Sequence, residues 1–200
     1  MTTEDSLLGE ALRTFGALLQ EARDSGDREP TAMTLASQDD DGRLAARVVL
    51  LKAFDARGFV FYTNTLSRKG RALAAHPQAA LLFHWKGLRD QVQVRIEGAV
   101  VPVDAVEADA YFASRPRESQ LGAWASLQSE PLPDRETFEA RYAEVEARYA
   151  GTQVPRPPHW SGYRVVPDAI EFWYGVPYRL HDRHAYRRVD GTWTRGLLYP

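Results

Sequence analysis

RVVLLKAFDARGFVFYTN, residues 47–64, is the stretch from which the fold can be read. Val48, Val49, Leu50 and Leu51 form an apolar run, rich in Val and Leu, that reads as a strand. Asp55, Arg57 and Gly58 then supply turn chemistry, and Phe59, Val60 and Phe61 resume the apolar pattern. The stretch predicts a β-hairpin: strand over residues 47–54, turn over 55–58, return strand over 59–63.

Upstream, residues 31–37 read as another strand, with Asp39-Asp40-Asp41-Gly42 as its turn. Residues 5–25 place Leu8, Ala11, Leu12, Phe15, Leu18, Leu19 and Ala22 on one face at helical spacing, and the polar stretch 25–30 ends that helix. Downstream, Ser67 caps a short helix over 67–75 with Pro77 just beyond it. Strands follow at 79–85 and 91–101. Asp104 and Glu107 have the spacing of a capping box, opening a helix to about Ser114. Asp134 opens a longer helix with a stripe of Phe138, Tyr142, Val145 and Tyr149, and Gly151 suits its end. After an extended proline-rich connector at 154–158, strands are expected at 163–166 and 169–174, then a hairpin turning at Asp190-Gly191. About seven strands without βαβ alternation predict an α+β fold, an antiparallel β-barrel decorated by helices. The expected organisation is a single domain over 1–200: N-terminal helix (1–28), barrel strands (31–102), helical insertion (104–150) and C-terminal strands (163–200).

Composition narrows the chemistry. In 200 residues, 44% hydrophobic and 26% charged content excludes wholesale disorder. Zero cysteines exclude disulfides, thiolate catalysis and Cys-based metal sites. With 25 Lys+Arg against 27 Asp+Glu, bulk charge does not drive nucleic-acid binding. The acidic start MTTEDS is no secretory signal, and the longest apolar runs, 48–51 and 79–83, cannot span a bilayer, so a cytoplasmic protein is expected. GxGxxG, GxxxxGK[ST] and GxSxG are absent, and His76, His84, His159, His181 and His184 lack metal-ligand spacing.

Four segments remain. Arg47 and Lys52 flank an apolar strand with opposite parity, which by itself reads first as two charges at the solvent-exposed ends of a core strand. Ser67-Arg68-Lys69 puts cations in the first turn of a helix, against its macrodipole, and a docked anion would remove the conflict. Arg115, Arg117 and Ser119 surround the helix-breaking Pro116, either as a second anion cradle or as helix-capping arginines. Arg179, His181 and Arg183 would share one face of a strand.

In order along the chain, the stretches RVVLLK (47–52), GFVFYTN (58–64), SRKG (67–70), QVRIEG (93–98), YFASRPRESQLGAWAS.QS (111–129), VPRPPHW (154–160) with GYRV (162–165), IEFW (170–173) and RLHDR (179–183) resemble the pyridoxine/pyridoxamine 5′-phosphate oxidase family. SRPR…SQ…GAW followed by RLHDR is the most specific part. The resemblance implies an FMN-binding split β-barrel, homodimeric with FMN between the subunits. It implies oxidation of pyridoxine or pyridoxamine 5′-phosphate to pyridoxal 5′-phosphate, with O2 reoxidising the flavin to give H2O2. It assigns FMN contacts to Arg47, Val48, Val49, Leu50, Leu51, Lys52, Tyr62, Thr63, Arg68, Lys69, Gln93, Gln128, Ser129, Trp173 and Arg183. Substrate contacts fall on Lys52, Tyr111, Arg115, Ser119, Arg179, Leu180 and His181, with Arg179 and His181 as the catalytic pair, positioning first and acid–base second. No metal or membrane partner is implied.

Two features depart from the family pattern. About two extra residues lie between Trp85 and QVRIEG, leaving Gln91 and Gln93 as candidates on one strand face. No Arg-Arg-Glu-Tyr-like arm precedes the first helix. A phenazine-type oxidase or flavin reductase on the same barrel would lack the Tyr111, Arg115, Ser119, Arg179 and His181 set, and a non-catalytic flavin or pyridoxal-phosphate binder would bind without releasing peroxide.

Overall fold

One long strand organises the computed structural model, which describes residues 3–39 and 41–200, and side chains from residue 7 onward except Asp40. That strand, β7, runs Trp160–Tyr174. Its first half pairs with β4 (Gly58–Asn64) from Phe59↔Val165 to Asn64↔Trp160. Its second half pairs with β8 (Asp182–Val189) from Ala169↔Arg187 to Tyr174↔Asp182. Along its other edge lies β6 (Val92–Pro102), with a register shift at Glu97/Gly98. A Cβ on Gly98 would overlap the Val166 carbonyl, so only glycine permits this close approach.

The remaining strands are β1 (Ala32–Gln38), β2 (Leu44–Leu50), β3 (Ala53–Asp55), β5 (Gln78–Trp85) and β9 (Thr192–Leu197). The sheet order is β2-β1-β5-β6-β7-β4-β3, with β8 and β9 branching from β7. This curled antiparallel sheet, α+β with five α-helices among the described residues, is a split β-barrel. Helix α1 (Thr3–Asp24) buries Ala11, Phe15, Leu18, Leu19 and Ala22 against it. Phe15 meets Phe54, Phe59 and Phe83 edge-on at 4.9, 5.0 and 5.0 Å. Each such pair stabilises by about 0.5–1.5 kcal/mol beyond its area.

The decisive hairpin is interrupted. The expected strand over 47–54 divides into β2, which pairs with β1, and β3, which pairs with β4. Leu51 turns into the core, 4% exposed, and its N–H donates to the Thr31 carbonyl. The Lys52 N–H donates to the Val60 carbonyl, so the backbone changes partner strands between consecutive residues. The parity conflict between Arg47 and Lys52 disappears because they do not belong to one strand.

Three helices form a side layer: α3 (Ala105–Ala113), α4 (Arg117–Ala125) and α5 (Arg135–Arg148). Phe112, Leu121, Ala125, Val145, Val154 and Trp160 make its own small core. The sequence reading has no counterpart to α4, which begins immediately after Pro116. The capping box closes only halfway. Asp104 accepts from the Glu107 N–H at 2.7 Å, but the Glu107 carboxylate instead holds Arg164, 6% exposed, at 2.9 Å. The separate strands expected at 163–166 and 169–174 are continuous, and the Asp190-Gly191 turn joins β8 to β9, both residues at positive φ. The turn expected at 39–42 includes Asp40, which lies outside the described residues. Helix α2 (Arg68–Ala75) has its Ser67 cap.

Candidate active site

A cavity of about 720 Å³ opens between the end of β4, the β2–β3 crossing, the start of α2 and the α3–α4 junction. Cations gather beside one wall, where Lys69 lines the cavity and Arg47 and Arg68 lie behind it, outside the lining. Lys69 Nζ folds back over the start of α2 and donates to Gln128 Oε1 at 2.9 Å, Thr63 Oγ1 at 3.2 Å and Ser67 Oγ at 3.4 Å. The Arg68 N–H donates to Ser129 Oγ at 3.1 Å. Its guanidinium grips Asp39 Oδ2 through Nη2 at 2.6 Å and Nε at 3.1 Å. Arg47 donates to the Leu35 carbonyl at 3.0 Å and Ser37 Oγ at 2.8 Å. Burial, then the Arg47 charge, lowers the Lys69 pKa, while burial lowers that of Arg47. Asp39, whose Oδ1 is buried without a partner, is the carboxylate paired with this group, and α2 carries no acid in its first turn. Charge, hydroxyls and a helix N-terminus therefore converge as an anion cradle.

The opposite wall is aromatic. Tyr111 stacks on Tyr62 at 4.1 Å and 15°, and Tyr62 on Trp160 at 5.3 Å and 6°. The stack requires Gly162, cross-strand from Tyr62, because a Cβ there would strike the Tyr62 ring. Desolvation pushes the Tyr62 hydroxyl up to about 12. The Arg115 guanidinium lies over Trp160 at 4.7 Å and Phe112 at 5.5 Å. Its Nη1 is buried without a hydrogen-bond partner, and burial lowers its pKa. Cation–π contacts of this kind contribute about 0.5–2 kcal/mol each, well short of what a bound anion would return. Ser119 and Lys52 line the same cavity. Gln120 ties α4 to the end of α3 through the Phe112 and Ala113 carbonyls, at 3.0 and 3.3 Å.

Arg117 is not part of the cradle. It caps the end of α5 by donating to the Tyr149 carbonyl at 2.6 Å and that of Thr152 at 2.8 Å. Thus the helix-capping alternative holds for Arg117, while Arg115 faces the cavity. Of the run 47–52, Val48, Val49, Leu50 and Lys52 line the cavity, whereas Leu51 belongs to the core.

The remaining predicted residues lie at the other end of β7, roughly 40 Å of strand from Trp160 at about 3.3 Å per residue. Gln93, Trp173 and Arg183 are cross-strand neighbours in one row. Arg183 donates to Glu171 Oε1 and to the Tyr199 carbonyl, both at 2.8 Å. Gln91 does not share a strand face with Gln93: it precedes β6 at φ 95°, and its amide meets His84 at 3.3 Å. Nor are Arg179, His181 and Arg183 on one strand. Pro177–Arg179 forms a single 3-10 turn, with Tyr178 and Arg179 at positive φ, so β8 starts only at Asp182. The His181 ring instead tilts against Trp173 at 4.4 Å, and its Nδ1 accepts the Val176 N–H at 3.2 Å. Leu180 and Tyr178 point outward, 67% and 93% exposed.

Asp39, Asn64, Ser126 and Trp160 were not singled out in the sequence. Trp160 lies within VPRPPHW, where its indole alone offers no sign that it meets an arginine 45 positions earlier.

A split barrel whose side cavity collects basic and aromatic groups defines the class of phosphate-binding flavin barrels. A family model described as pyridoxamine 5′-phosphate oxidase matches residues 19–149, and one described as the pyridoxine 5′-phosphate oxidase C-terminal dimerisation region matches residues 160–200. The chain belongs to the pyridoxamine 5′-phosphate oxidase family. A pyridoxine/pyridoxamine 5′-phosphate oxidase of Myxococcus xanthus is 61% identical over 94% of this chain and 91% of its own. One of Xanthomonas axonopodis pv. citri is 59% identical over 97% and 98%. PhzG of Burkholderia lata, solved with tetrahydrophenazine-1-carboxylic acid, superposes with TM-score 0.88 at 36% identity over 94% of this chain and 92% of its own. A pyridoxamine 5′-phosphate oxidase-related, FMN-binding protein of Nostoc punctiforme shares the fold, with TM-score 0.74 at 17% identity over 94% and 96%. Among the described residues no helix is long and apolar enough to cross a membrane.

Proposed function

We propose that the chain holds FMN in the Arg47, Arg68 and Lys69 cradle and the phosphate of its substrate on Arg115, Ser119, Tyr111 and Lys52. The activity is oxidation of pyridoxine and pyridoxamine 5′-phosphates to pyridoxal 5′-phosphate. FMN is the cofactor, supplying a two-electron acceptor that molecular oxygen reoxidises with release of H2O2. The residues fit such a group: three cations with the Thr63, Ser67 and Ser129 hydroxyls near one helix start match a phosphate dianion. The observation that supports the substrate assignment is the Arg115 guanidinium, which lines a cavity with no carboxylate among its lining residues and whose Nη1 is buried without a hydrogen-bond partner.

The chain works as a homodimer. We place the second half of the active site on the other copy. The row of Gln93, Trp173 and Arg183 and the Arg179–His181 turn lie at the far end of β7, and a two-fold axis brings that end of one copy to the cavity of the other. The apolar groups Tyr178, Leu180, Leu197 and Tyr199, each at least 67% exposed, suit burial at that junction. There Arg179 and His181 cover the substrate and orient it, which is where most of the catalytic gain lies. With Nδ1 accepting from Val176, a neutral His181 carries its proton on Nε2, the nitrogen left free to meet the substrate.

Purified protein should be yellow and should release H2O2 on addition of pyridoxamine 5′-phosphate. A flavin-loaded protein that turns over neither ester would contradict the assignment. The structural likeness to PhzG gives the alternative test substrate, a reduced phenazine carboxylic acid. Turnover of that acid in preference to the phosphate esters would move the protein to the phenazine branch.

A further inference from the structure

We infer that Trp160 is a positioning residue that confers selectivity for a phosphorylated substrate, by holding the Arg115 guanidinium charged, desolvated and unpaired at the cavity wall. The inference rests on the reading of Arg115 as the substrate-phosphate ligand. Arginines elsewhere in this chain show what normally happens to a sheltered guanidinium. Arg164 is taken by Glu107 and Asp55, Arg156 by Asp109, and Arg183 by Glu171. Arg115 has no such partner, and its Nη1 makes no hydrogen bond at all. What it has is the indole face of Trp160 at 4.7 Å, closer than the Phe112 ring at 5.5 Å.

A carboxylate in that place would neutralise the arginine and repel a phosphate dianion. An aromatic face attracts the cation without offering an acceptor to its N–H groups, so it does not compete with the phosphate oxygens for them. Trp160 is itself fixed, 6% exposed, by the stack with Tyr62 and by the Arg156 Nη1 bond to its carbonyl at 2.7 Å. The guanidinium is thus oriented before the ester arrives, and a substrate lacking the phosphate gains nothing from it.

The test is a double-mutant cycle on the FMN-loaded enzyme, with Arg115→Ala, Trp160→Met and the pair. Trp160→Met, which keeps an apolar side chain but no π face, is expected to raise KM for pyridoxamine 5′-phosphate about tenfold. The effect falls on KM rather than kcat, and flavin is retained. Trp160→Phe should restore KM to within about threefold, because the π face returns. In the Arg115→Ala background, Trp160→Met should change KM by less than about twofold. An equal tenfold loss in both backgrounds would reduce Trp160 to packing and overturn the inference. Arg115→Ala without any effect on KM would instead overturn the phosphate assignment on which it rests. Should Trp160→Met not fold, uniform fluorotryptophan labelling, which depletes the ring's negative face, serves in its place. It should raise KM severalfold in the otherwise unchanged chain and not in Trp160→Phe; an equal rise in both would overturn the inference.

Discussion

The two cationic clusters at the cavity, Lys69 with Arg47 and Arg68 behind it and Arg115 across from them, hold their charge in opposite ways. On the cofactor side, Arg68 is more than half exposed and already holds a carboxylate, Asp39, at 2.6 Å, while Lys69 is shared among Thr63, Ser67 and Gln128. Every cation there has polar company before any phosphate arrives. On the substrate side, Arg115 is half-buried, lies on aromatic rings and lacks a carboxylate. A prebuilt, hydrogen-bonded cradle suits a group that stays. An unsatisfied cation suits a group that must be captured strongly at each turnover and then released.

The comparison predicts unequal losses. Arg115→Ala should give the largest effect, a KM for pyridoxamine 5′-phosphate raised about 100-fold with the flavin absorbance intact after dialysis, since Lys52 is then the one cation left among the proposed phosphate ligands. Loss of flavin in that variant would erase the distinction between the walls. Arg68→Ala should weaken FMN binding about tenfold, measured by fluorescence titration of the stripped protein, because Arg47 and Lys69 remain. Glu107→Gln strips the better partner from the buried Arg164 that anchors α3, the helix carrying Tyr111. It should lower stability by about 2–3 kcal/mol in urea titration and raise KM severalfold without releasing flavin. An unchanged unfolding midpoint would show that the Asp55 contact is enough for Arg164.

The smallest expected effect is that of pH on the cofactor wall. The Arg68 guanidinium holds the Asp39 carboxyl below its ordinary 3.8. A lowered folded value means the pair's contribution is complete above the unfolded pKa and is lost only as pH falls through the lowered one. Because the flavin phosphate itself takes up a proton at about pH 6, the ratio of flavin retention between the unchanged chain and Asp39→Asn is the quantity that should stay flat from about pH 5 to 8, and a step in that ratio would contradict the pairing.

Much of this was legible in the chain because periodicity and capping are local. The Phe15 face of α1, the Ser67 cap and the Asp190-Gly191 turn follow from residues a few positions apart. The placing of Arg68 and Lys69 at the start of α2 was legible too, and the conflict of two cations with the helix dipole there is what suggests an anion. What escaped depends on distant partners. Leu51 leaves the strand because the Thr31 carbonyl takes its N–H, and Glu107 abandons its cap for Arg164, 57 positions away. The strand expected through RLHDR fails at Tyr178 and Arg179, whose positive φ values nothing in their side chains announces. Trp160 acquires a role only when β7 carries it beneath Tyr62 and Arg115.

The central claim is that each active site takes its two halves from different copies, and mixing two crippled chains tests it most directly. Arg115→Ala removes the cavity half and Arg183→Ala the far end of β7, so each homodimer should be nearly inactive when assayed with pyridoxamine 5′-phosphate well below the KM of the unchanged enzyme. Co-expressed in equal amounts, they should recover about a quarter of full activity, because half the dimers are mixed and each mixed dimer holds one intact site. Recovery no greater than the average of the two variants alone would mean that both halves serve the site of a single chain, contrary to this account.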